Sequence, residues 1–102
     1  MPLITHVLLR DTTPEDYDRI RRACGWLDEH PVGGHCHLTY WDGNDCHNVD
    51  VWESEEAFGA FGMDRLGPAM AEAGIEREPE VTFHLAHEVF LPAAMTVTET
   101  PI

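Results

Sequence analysis

Along this chain the spacing of hydrophobic residues switches between that of strands and that of helices in a set order, and few folds accommodate that order. Pro2 to Arg10 is β-branched and leucine-rich, with apolar residues at both parities, as in a strand covered on both faces. Thr13 is then placed to cap a helix, with Pro14 at its first position and Asp16 three residues past the cap. Tyr17, Ile20, Cys24 and Leu27 recur on one face of that helix, which ends within DEHPVGG. His35 to Trp41 and Cys46 to Trp52 are β-prone runs around Asp42, Gly43, Asn44 and Asp45, which predicts a hairpin. Ser54 caps a second helix with Ala57, Phe58, Phe61, Leu66, Met70 and Ala73 inward, kinked near Pro68 and closed at Gly74. A last strand is expected from Glu80 to Leu91.

The order β-α-β-β-α-β is that of the ferredoxin-like α+β sandwich, an antiparallel four-stranded sheet with both helices on one face. Residues 1–91 form this single domain, and 92–102 read as a C-terminal arm. One helical layer covers one face of the sheet, yet LITHVLL and VTFHLAHEVF carry large apolar residues on both. A second copy packed sheet to sheet, closing a dimeric barrel, is the expected cover.

Charge narrows the partners. Six arginines, no lysine and 19 acidic residues give a net charge of -13, which repels nucleic acid and anionic membrane surfaces and favours neutral or apolar ligands over anionic ones. MPLITHVLLR lacks a basic region and a small-residue cleavage site, so it reads as a strand and the chain as cytoplasmic. Cys24, Cys36 and Cys46 are odd in number and show no CxxC pair, so they are expected as reduced thiols rather than as a disulfide framework or zinc knuckle.

The histidine-rich hairpin GHCHLTYWDGNDCH carries the chemistry. Alternation places His35, His37, Thr39 and Trp41 on one face of the strand and Cys36, Leu38 and Tyr40 on the other. A turn centred on Gly43-Asn44 pairs Trp41 with Cys46, Thr39 with Asn48, His37 with Asp50 and His35 with Trp52. His35, His37, Thr39, Asn48, Asp50 and Trp52 then line one polar face. A carboxylate facing an imidazole fixes its tautomer and raises its basicity, so His37 with Asp50 is a candidate general base. The alternative is a transition-metal site of His35, His37 and Asp50.

The stretch VDVWESEEAFGAFGMDRLGPAMAEAGI, and within it V-W-E-S-x-E-A-F at the strand-helix junction, resembles the antibiotic biosynthesis monooxygenase-like superfamily of dimeric α/β barrels. The resemblance implies cofactor-independent oxidation of an aromatic or polyketide-like molecule, with Asn48 and Trp52 matching an N-x-x-x-W pattern that contacts substrate. Relatives that degrade haem keep a helical histidine where Phe61 stands here, so a haem would take its ligand from His6, His84 or His87. His84 and His87, three apart on the last strand, point to opposite faces, and His6 lies mid-sheet. The expectation is therefore an enzyme with His37, Asp50, Asn48 and Trp52 as catalytic residues and His35, Thr39, His6, His84 and Phe61 against the substrate. A histidine-rich metal- or ligand-binding protein and a polyketide cyclase or isomerase are the alternatives.

Overall fold

The computed structural model describes residues 1–92 and 97–99, so the arm expected from residue 92 onward lies mostly outside the described residues. Four strands, β1 (Leu3–Leu9), β2 (Gly34–Asp42), β3 (Asp45–Trp52) and β4 (Glu80–Leu85), form one antiparallel sheet in the order β2-β3-β1-β4. Helix α1 (Pro14–Cys24) joins β1 to β2. Between β3 and β4 run α2 (Glu55–Phe61), a π-turn (Gly62–Leu66) and α3 (Gly67–Glu72). The βαββαβ order of the ferredoxin-like fold is thus present.

Helix α1 starts where its sequence requires. Thr13 accepts a hydrogen bond from the Asp16 N–H, and the Asp16 carboxylate accepts one from the Thr13 N–H, so two otherwise orphaned donors are satisfied. It ends earlier than expected, because Gly25 adopts the left-handed conformation (φ 68°) and returns its N–H to the Arg21 carbonyl. Leu27 therefore falls outside the helical spacing and is 42% exposed instead of closing the buried stripe. The other three stripe residues, Tyr17, Ile20 and Cys24, are buried.

The kink at Pro68 takes the form of a π-turn, in which the Gly67 N–H reaches the Gly62 carbonyl. Proline lacks an N–H, and its ring would strike the carbonyl four residues back in a regular helix. The extra residue in the turn lets Ala69 and Met70 still face the core. Strand β4 is shorter than expected and stops at Leu85, since its neighbour β1 begins at Leu3 and offers only the Pro2 carbonyl beyond, which takes the Ala86 N–H. His87 consequently lies outside the strand, and alternation with His84 does not apply to it.

The two faces of the sheet differ. Leu3, Thr5, Val7 and Leu9 of β1 and Cys46, Asn48, Asp50 and Trp52 of β3 are buried beneath the helices, against Ile20, Phe58 and Met70 among others. The opposite face carries Ile4, His6 and Leu8 with His47, Val49 and Val51, all half-buried, and the exposed Leu38 and Tyr40.

Candidate active site

Chain order brings α1 over the hairpin. The Trp41 indole N–H donates to the Thr12 carbonyl at 2.7 Å, and the Thr12 N–H donates to the Asn44 carbonyl at 3.0 Å. With the helix start pinned to the hairpin tip, Tyr17, one turn in, sits above β2. Its hydroxyl lies 2.7 Å from His37 Nε2, and the two rings lie end to end, their centroids 6.2 Å apart and their planes 7° from parallel. His37 Nδ1 lies 2.6 Å from Asp50 Oδ1, and the Trp52 indole N–H donates to Asp50 Oδ2 at 3.3 Å.

These contacts form one chain across three elements, Tyr17-His37-Asp50-Trp52. A carboxylate only accepts, so the imidazole hydrogen belongs on Nδ1, and Nε2 offers its lone pair to the Tyr17 hydroxyl. Burial holds the Tyr17 phenol above the ordinary tyrosine range, aided by the nearby Cys46 and Asp50, so Tyr17 stays protonated and donates. Trp26 packs 5.1 Å from the His37 ring and Trp41 meets Tyr17 edge-on at 5.7 Å. The His37 side chain remains 33% exposed, so the Tyr17-His37 hydrogen bond lies at the edge of the core rather than deep within it.

The hairpin register is as expected for Trp41 with Cys46, Thr39 with Asn48 and His37 with Asp50. It departs at one end. Gly34, not His35, pairs with Trp52, because a bulge leaves His35 unpaired between Gly34 and Cys36. His35 is exposed, and His35, His37 and Asp50 do not converge; among the described residues no three His, Cys, Asp or Glu side chains stand close enough to hold a metal ion.

The other expected residues separate into two groups. Asn48 and Trp52 lie on the helix-covered face as expected, but only 7% and 3% exposed. The Asn48 amide donates to the Val7 carbonyl at 3.2 Å, and the Trp52 indole is enclosed by Phe58 at 5.7 Å and Phe61 at 5.2 Å. Thr39 is half-buried beside the Cys46 thiol. Phe61 presents its ring to Trp52 and to the Arg65 guanidinium at 5.5 Å, and offers no ligand for a haem. His6 and His84 stand apart from this group. In the register of β1 and β4, His84 is opposite Ile4 and Thr82 opposite His6, which puts both histidines on the open face, away from His37.

Tyr17 and Trp26 belong to the site without having been singled out in the sequence. Tyr17 read as part of a buried stripe. The usable signal was its hydroxyl, since a phenol on an inward helical face requires a hydrogen-bond partner. Trp26 gave none, lying in the loop just past the helix.

No family model and no curated protein matches the sequence. The fold does have relatives among solved structures. A protein of unknown function from Nitrosomonas europaea superposes with a TM-score of 0.68 at 16% identity, over 90% of this chain and 95% of the other. SnoaB, a cofactor-independent oxygenase from Streptomyces nogalater, gives 0.61 at 14% identity over 89% and 96%. A Streptomyces coelicolor monooxygenase in complex with nanaomycin D gives 0.60 at 21% identity over 89% and 92%. The chain therefore shares the fold of the antibiotic biosynthesis monooxygenase-like proteins over most of its length.

Proposed function

We propose that the chain is a small homodimeric enzyme that oxidises an enolisable aromatic or polyketide-like molecule with dioxygen and without a bound cofactor. The observation that carries this reading is the hydrogen-bonded series Tyr17-His37-Asp50-Trp52, in which a partly exposed imidazole sits between a phenol and a carboxylate among aromatic rings. The shared fold with a cofactor-independent oxygenase supports the reaction class. The negative overall charge and the Trp26, Tyr17 and Trp41 rings suit a flat, neutral substrate.

His37 is the terminal proton acceptor. As the substrate C–H or O–H proton passes to the Tyr17 oxygen, the Tyr17 hydrogen moves to His37 Nε2, so the phenol is neutral before and after. Asp50 stabilises the imidazolium that forms, and Trp52 acts through Asp50 as a positioning residue. The resulting carbanion gives one electron to dioxygen, the substrate radical and superoxide combine to a peroxide anion, and this takes back the proton from the His37 imidazolium through Tyr17, which resets the base. Loss of water from that peroxide converts the original CH2 to a carbonyl, so CH2 and O2 become C=O and H2O. Asn48, tied to the Val7 carbonyl, keeps the wall of the site in register, and contact of Trp52 with substrate requires the Phe58 and Phe61 rings around it to part.

The test is oxygen uptake with an anthrone as substrate, followed by mass spectrometry of the product. Expected are a product richer by one oxygen and poorer by two hydrogens, no turnover without oxygen, and a loss of about 100-fold or more in His37→Ala. A product of unchanged mass formed without oxygen favours an isomerase, and a rate unaffected by His37→Ala overturns the site. Sedimentation tests the dimer: a monomer at micromolar concentration removes the second copy.

A further inference from the structure

His6 of β1 and His47 of β3 meet on the open face of the sheet, on the side opposite His37. Their register makes them diagonal neighbours, with His6 opposite Val49 and His47 opposite Leu8. His6 Nε2 and His47 Nδ1 lie 2.9 Å apart, and both side chains are half-buried, so they are braced by the sheet yet open to solvent. Tyr40, opposite His47 on β2, stacks on its ring at 4.6 Å with 8° between the planes, which fixes the orientation of that imidazole.

We propose that His6 and His47 are a two-imidazole chelate for a divalent late transition-metal ion, copper(II) foremost, with water in the remaining positions. Two nitrogens bound at about 2.0–2.1 Å and at right angles on one ion are about 2.9 Å apart, the spacing of cis ligands in a tetragonal copper or nickel site. The same two nitrogens in this sheet are 2.9 Å apart as hydrogen-bond partners with ring centroids 5.0 Å apart, so both rings must turn to aim their lone pairs at one ion. Coordination leaves the hydrogens on His6 Nδ1 and His47 Nε2, so both rings stay neutral and only their shared hydrogen bond is given up. The chain's charge of -13 attracts cations at long range. Among the described residues no third His, Cys, Asp or Glu joins the pair, so the ion keeps exchangeable positions and the site is a binding site rather than a structural one. Copper stands above nickel and zinc for such nitrogen ligands. In the proposed dimer, joined through this face, the two pairs face one shared interior, and copper must enter it to bind.

The experiment uses the full chain without a histidine tag, stripped with a chelator and titrated with copper(II) sulfate by calorimetry and electron paramagnetic resonance. Expected are one copper per chain and a nitrogen splitting pattern from two imidazoles. His6→Gln and His47→Gln should each weaken binding about tenfold or more, while His84→Gln, on the same face, leaves it unchanged. Copper bound equally well by both variants overturns the site. If either variant fails to fold, substoichiometric copper added to the unaltered chain gives the answer by proton NMR. The His6 and His47 ring signals should broaden before those of the other histidines, and earlier broadening elsewhere overturns the proposal.

Discussion

The Tyr17 hydroxyl and His37 Nε2 lie 2.7 Å apart although one belongs to a helix and the other to an edge strand. Nε2 has one lone pair, and the phenol fills it, so Tyr17 controls what reaches the imidazole.

Tyr17→Phe keeps the ring packed edge-on against Trp26 and Trp41 and removes the hydroxyl. Turnover of an anthrone should fall about 100-fold or more if the proton passes through Tyr17, and a retained rate would show that substrate meets His37 directly. The same variant tests a pH effect. Burial raises the folded-state pKa of Tyr17 above the free value of about 10. The neutral phenol is thus favoured by the fold, and this contribution is fully present below about pH 10 and lost as pH rises toward the folded pKa. Urea unfolding of the unaltered protein should therefore show stability declining above about pH 10, with that decline smaller in Tyr17→Phe.

Thr5 offers a second test. It is fully buried on the helix-covered face, opposite Asp50, and its hydroxyl has no hydrogen-bond partner. A buried unpaired hydroxyl costs about 1–3 kcal/mol, so replacing it by a methyl of the same shape should stabilise. Thr5→Val is expected to raise the unfolding free energy by about 1 kcal/mol in chemical denaturation. A loss of that size would instead reveal a bound water or ligand atom at this hydroxyl.

Gly33 ties the entry of β2 to the start of α2. It adopts φ 82°, its carbonyl accepts the Glu53 N–H at 2.7 Å, and an added Cβ would stand 2.7 Å from the Ala57 Cβ. Gly33→Ala combines left-handed strain with a clash against α2 and should lower stability by about 2 kcal/mol, read as a fall in the thermal midpoint. No change there would mean that the β2 entry and the start of α2 are not packed together.

The thiols should differ in reactivity. Burial raises the pKa of all three cysteines, but Cys46 is 0% and Cys24 7% exposed, whereas Cys36 is partly open. Alkylation of the native protein at pH 8 followed by peptide mass spectrometry should modify Cys36 first, and Cys24 and Cys46 only on unfolding. Early modification of Cys46 would contradict its place in the core.

Much of the fold was legible because local signals agreed with the tertiary result. Thr13-Pro14-Asp16 and Ser54 mark helix starts that the structure uses, and Gly43-Asn44 sets a turn that brings His37 opposite Asp50. The misses occur where long-range partners decide. Strand β4 ends for lack of a neighbour, which no property of VTFHLAHEVF reveals. The depth of Trp52 depends on Phe58 and Phe61 folding over it, and the partner of Tyr17 depends on where α1 crosses the sheet. The faces of His6 and His84 follow from alternation once the register is known, and the register of β1 with β4 is not written in either strand alone.

The bulge at His35 makes the two histidines of HCH unequal. His37 is bound to the inner side by the ladder on both sides of it, while Gly34, brought opposite Trp52 in place of an imidazole, has 3.3 Å between a would-be Cβ and the indole ring. His35 escapes the alternation altogether. Among natural variants of this chain, position 35 is thus where residues should drift freely, and positions 34 and 37, one and two places away, are where drift should stop.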